Sequence, residues 1–144
     1  MAVTNRGKKK ILDMAFRNAT EPSNFYVALV SNTNAPTVDS NLMSDLSEIS
    51  DSGGYTSGGV SVARDNTDFD SLTEDDTNDE SVLQIKDLEF SGEFSGARFA
   101  VLTDDNATVS SREVLAFWSL GSSDVAVSSG QTYTLQNCTI KATE

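Results

Sequence analysis

Six short runs of branched and aromatic residues recur along this 144-residue chain: FYVALVS (25–31), VSVAR (60–64), SVLQIKDLEF (81–90), ARFAVLTD (97–104), EVLAFWSL (113–120) and TYTLQNCTIKAT (132–143). Gly, Ser, Asn and Asp separate them, the punctuation that ends strands. β-branched and aromatic side chains fit a pleated, half-buried surface, so the runs predict a mainly β fold. Six of them in a chain long enough for one core predict an antiparallel β-sandwich. Phe25, Val27, Leu29, Phe99, Val101, Leu115 and Phe117 recur at strand period and are the expected inward residues. In 81–90 the apolar phase changes, with Leu83 and Ile85 on one parity and Leu88 and Phe90 on the other, which predicts a bulge. GGYTSGG (53–59) reads as a turn using positive φ. In the long connection 32–50, LMSDLSEI predicts a helical turn or two with Leu42, Leu46 and Ile49 inward.

Before Pro22 the pattern is helical. With Thr4 or Asn5 as cap, Ile11, Leu12, Ala15 and Phe16 share one face. The chain therefore divides into a basic N-terminal helix or arm, 1–20, and a β-sandwich domain, 21–144. The arm holds Arg6, Lys8, Lys9, Lys10 and Arg17 against the single acid Asp13, whereas residues 39–80 hold twelve acids against Arg64 alone. Lysines at a helix start oppose its macrodipole, which points to negative groups beside them. Charge next to an apolar face lets one steer an encounter and the other hold it. Arg6, Lys8, Lys9, Lys10, Ile11, Leu12, Phe16 and Arg17 are accordingly the candidate partner-binding residues; alternatively, Ile11, Leu12 and Phe16 close one end of the protein's own core. The asymmetry also suits head-to-tail contact with copies of the chain or contact with an acidic neighbour; alternatively, this is an ordinary solvated terminus.

Composition narrows the function. The net charge is −12, and a surface this negative repels phosphate backbones, so no nucleic-acid partner is expected. No stretch approaches the roughly 18 apolar residues of a membrane span, and the apolar run ILDMAF is too short and too charged for a secretory signal. No membrane partner is expected, and synthesis in a cytoplasm is. There is no histidine, which removes the commonest general base and every histidine-containing triad. One cysteine, Cys138, excludes an intrachain disulfide and a thiolate zinc site; it is expected to pack in a strand. The glycine cluster lacks the spacing of a phosphate loop. Paired carboxylates alone can hydrolyse glycosides, but only Trp118 marks a sugar cleft, so the expectation is a protein that is no enzyme and carries no cofactor. DFDSLTEDDTNDE (68–80) holds seven carboxylates. Asp76, Asn78 and Glu80 resemble the start of an EF-hand loop, yet Ser81 stands where that loop needs Gly. A calcium site from Asp68, Asp70, Asp75 and Asp76 is the metal alternative, and a solvated loop is the leading reading.

The succession FYVALVS, DLSEIS, GGYTSGG, DFDSLTEDDTND, VLQIKDLEF, ARFAVLTDD and VLAFWSLGS resembles a family of small virion structural proteins of tailed bacteriophages, over about Asn5 to Ile140. The match lies at Tyr26, Tyr55, Gly58, Gly59, Asp68, Phe69, Asp70, Ala97, Arg98 and Trp118; SGEFSG (91–96) is shorter than the family pattern. The resemblance implies a β-rich particle component without activity, located in the virion. An acidic component is expected outside the packaged DNA. That favours a capsid decoration (cement) or head-surface protein binding the major capsid protein or other virion proteins, and a homo-oligomer is expected because capsid sites have rotational symmetry. The alternatives are a tail or baseplate component and a calcium-dependent glycan-binding module.

Overall fold

The computed structural model describes residues 1–143. A mainly β chain with one helix forms antiparallel sheets in a sandwich-like packing. The first layer has five strands: β1 (Ala2–Val3), β2 (Asn24–Val30), β3 (Val60–Ala63), β8 (Phe99–Thr103) and β9 (Val114–Ser119), in the order β1-β9-β8-β2-β3. The helix α1 (Asn5–Phe16) follows β1 directly.

The second layer is a ribbon. β5 (Glu80–Gln84), β6 (Leu88–Ser91) and β7 (Phe94–Ala97) run antiparallel to β12 (Thr139–Thr143), β11 (Thr132–Leu135) and β10 (Val125–Val127) respectively, and β4 (Ser71–Asp75) adds an outer edge to β5. Two of the predicted runs are therefore each two strands. In 81–90 the change of apolar parity is a break between sheets and not a bulge: β5 ends at Gln84, and β6 begins at Leu88 in another sheet. The opposing run breaks at the same level, after Leu135, where Asn137 takes a φ of 57°. This level is spanned by the backbone bond from Ile85 N–H to Cys138 O at 2.8 Å, and the next break, where β6 and β11 give way to β7 and β10, by the bond from Gly92 N–H to Gln131 O at 3.0 Å. The ribbon bends over the five-stranded sheet while keeping its buried donors paired.

Between the layers Phe25, Val27, Leu29, Val62, Ala100, Leu102 and Trp118 meet Ile85, Leu88, Phe90, Phe94 and Leu135. The other face of the five-stranded sheet is covered too. Met43 and Leu46, from the 3-10 turn Met43–Asp45 and its exit, pack on Ala28, Val30, Val101 and Val114, with Phe99 and Phe117 half-buried at the margin. Phe99, Val101 and Phe117, expected in the main core, thus lie in this smaller cluster, because β8 turns Ala100 and Leu102 to the ribbon. Leu115 does reach the main core, by way of a register shift that pairs Leu102 with Ala116 but Thr103 with Val114. In the connection 32–50, Leu46 and Ile49 are buried as expected, whereas Met43 takes the place foreseen for Leu42.

The acidic stretch 68–80 is solvent-exposed over most of its length, as expected, but it is a strand and a turn and not a loop. β4 pairs with β5 from Ser71↔Gln84 to Asp75↔Glu80, and Asp75 organises the turn by accepting from Thr77 N–H (3.0 Å), Asn78 N–H (3.2 Å) and Asn78 Nδ2 (2.7 Å). Asp79 supplies the positive φ, 52°, a conformation that Asp tolerates better than most residues.

Candidate docking face

The N-terminal segment is tied to the main sheet. β1 pairs with β9, and Thr4, fully buried, caps α1 by accepting from Gly7 N–H at 2.9 Å. The same hydroxyl donates to Val114 O at 2.5 Å, and Thr4 N–H donates to Leu115 O at 3.0 Å. Gly7 is where the helix touches the strand: a Cβ there would lie 2.1 Å from Leu115 O. Only glycine allows this approach.

Two of the arm's five cations point at the body. Lys10 Nζ donates to Glu113 (2.6 Å) and Asp104 (3.3 Å), and Arg6 donates to Glu113 at 3.2 Å. Partial burial by itself would lower the Lys10 ammonium, but the hydrogen bonds and attraction of Glu113 and Asp104 outweigh it and hold the pKa above the ordinary lysine value. These two acids are the negative groups that the lysines at the helix start foretold. Lys9 and Arg17 share Asp13 along the helix surface, and Lys8 is exposed.

Ile11, Leu12 and Phe16 do not close the core. They are 48%, 56% and 81% exposed. Beside Ile11 an apolar cleft of about 250 Å³ opens between α1 and the two layers, floored by Phe25, Leu102 and Leu115 and walled on the ribbon side by Leu83 and Ile140. In register, Ile140, Leu83 and Leu72 lie side by side across β12, β5 and β4, so all three share one face. The row runs out of the cleft to Leu72, which is 73% exposed. Ile11 links the helix face to this row through the cleft, with Leu12 and Phe16 standing outside it on one side and Leu72 on the other. None of the three was a candidate binding residue in the sequence: Leu83 was noted only for the change of parity in 81–90, and Leu72 sits among acids. The available signal was the turn segment Asp75–Glu80, flanked by Leu72 and Leu83 three residues to either side.

The four calcium candidates are not brought together. Asp68 is buried and accepts from Lys86 Nζ and from Ala63 N–H at 2.7 Å; these bonds, the lysine's first, hold its carboxyl below the ordinary range. Asp70 and Asp76 flank β4, roughly 20 Å apart at a strand's rise per residue. Among the described residues no three His, Cys, Asp or Glu are placed to hold a metal ion. Other conspicuous polar groups serve packing. Tyr55 donates to Glu48 at 2.6 Å and accepts from Leu29 N–H at 3.0 Å, which pins the GGYTSGG turn. Trp118 donates to Thr139 O at 2.9 Å. Burial pushes the Cys138 thiol up to about 11, far from the thiolate a reactive cysteine needs.

Comparison of the chain with protein-family models, with curated proteins and with solved structures finds no match. Among the described residues no helix is long and apolar enough to cross a membrane.

Proposed function

We propose that this protein is a structural component of a tailed-phage virion, made in the bacterial host cytoplasm and acting as a capsid decoration or head-surface protein. In this reading it binds the major capsid protein or other virion proteins, and its work is contact rather than chemistry. The sequence resemblance motivates the reading. The observation that carries it is the outer face of α1: three large apolar side chains held in solvent on a helix that is itself fixed to the sheet by Thr4, Gly7 and the Arg6/Lys10 ion pairs. A rigidly presented apolar ridge flanked by charge is what an assembly contact requires.

The test is cosedimentation of the purified protein with separated heads and tails of the phage that encodes it. Binding to heads supports the decoration role, binding to tails selects the tail or baseplate alternative, and binding to neither overturns the reading. Deleting residues 1–17 would be a poor control, because it removes β1 and Thr4 from the sheet. Phe16→Ser changes only an exposed side chain and is the informative variant.

A further inference from the structure

We propose that the groove between α1 and the β12-β5-β4 sheet is a two-fold interface, occupied by the same surface of a second copy of this chain. The inference deepens the assembly reading by naming the neighbour that covers the α1 face.

Three observations select a second copy. The surface is self-complementary in shape: it has a ridge, Leu12 and Phe16, beside a groove walled by Ile11, Leu83 and Ile140. The groove is large enough for an aromatic ring, since an apolar cavity of about 150 Å³ holds benzene. The rims are also complementary in charge. The helix rim carries Lys8, Lys9 and Arg17 against Asp13, and the hairpin rim carries Glu74, Asp75, Asp76 and Asp79. A two-fold axis sets each helix rim on the opposite hairpin rim, whereas a translation of identical surfaces would not. Finally, the face leaves Leu12, Phe16 and Leu72 56%, 81% and 73% exposed, large apolar side chains gathered on one side of the molecule, which marks an interaction surface.

A net charge of −12 opposes association at long range, so the measurement belongs near 0.15 M salt, where the screening length is about 8 Å. Sedimentation equilibrium of the full chain from 1 to 100 μM, as an order-of-magnitude range spanning weak to moderate affinity, should show a monomer–dimer equilibrium. Phe16→Ser and, separately, Leu72→Ser should each raise the dimer Kd on the order of 100-fold, because every side chain is lost twice in a two-fold contact. Both residues are exposed, so the melting temperature of dilute protein should not change. Hydrogen exchange should slow with rising concentration at residues 11–17 and 71–75. A wild-type chain that is monomeric throughout overturns the proposal, as does a dimer that survives both substitutions or is protected elsewhere. A monomer that still binds particles through Phe16 would overturn the dimer and leave the virion role standing.

Discussion

At the residue scale, position 7 sets helix propensity against packing. Alanine is the better helix former by about 1 kcal/mol, and in an isolated peptide Gly7→Ala would stabilise α1. In the protein its Cβ would fall 2.1 Å from the Leu115 carbonyl oxygen, a backbone atom that cannot rotate away. The helix must lift off β9 and loosen the Thr4 bonds, so Gly7→Ala should destabilise by about 1–3 kcal/mol, as overpacking does. Urea unfolding measures it, and a gain in stability would mean that α1 rides free of the sheet. This constraint was invisible in NRGKKK, where a glycine beside lysines reads as an ordinary surface position. What the same stretch did reveal was its need for acids, because the lysines' conflict with the helix dipole is local, whereas the identity of Glu113 and Asp104 depends on folding.

At the element scale, the two apolar clusters make different demands on their phenylalanines. Phe90 is buried in the main core and Phe99 is half-buried at the edge of the smaller one. Phe90→Ala should cost about 3–5 kcal/mol and Phe99→Ala about half that, in proportion to the burial lost. Equal costs would show that the outer face of the five-stranded sheet is as well covered as the inner. The strand runs were legible because branched residues recur at period two, but the side that β8 turns inward was not. Both its parities are apolar when both faces of the sheet are covered, and alternation then carries no sign. The acidic hairpin was misread for a related reason: seven carboxylates mask a strand whose apolar content is Leu72 alone. Its turn needs acceptor oxygens rather than charge, since Asp75 receives backbone N–H groups. Replacing Asp75, Asp76 and Asp79 together by Asn should therefore leave the melting temperature within a few degrees of wild type, with or without millimolar calcium. A calcium-dependent rise in wild type, abolished in the variant, would assign the hairpin a metal.

At the scale of the whole molecule, architecture and charge were read with unequal success. One helix followed by most of the strands was apparent from periodicity, while β1 ahead of the helix and the folding of two long runs into a bent ribbon were not, since two residues carry no period and a break between sheets and a bulge leave the same parity change in sequence. Net charge was known from the outset, but which acids are engaged emerges only in the fold, and this decides the response to pH. Asp68 is held below the ordinary aspartate value of about 3.9 by Lys86 and the Ala63 N–H, and Asp13, Asp45 and Asp75 are lowered by Lys9, by the backbone N–H groups of Leu42 and Asn41, and by Asn78. A carboxyl lowered on folding contributes stability that is full above its unfolded pKa and is lost as pH falls through its folded one. Lys10, raised on folding, contributes below the unfolded lysine value and loses that contribution as pH rises through its own. Between these limits stability should hold level, and it should drop below about 4, the unfolded aspartate value. Asp68→Asn isolates one contribution: its deficit relative to wild type should be largest at neutral pH and should shrink as the wild-type carboxyl protonates. Urea midpoints for both proteins across the acid range test this. A deficit that stayed constant would mean that Asp68 acts through shape and not through its charge on Lys86.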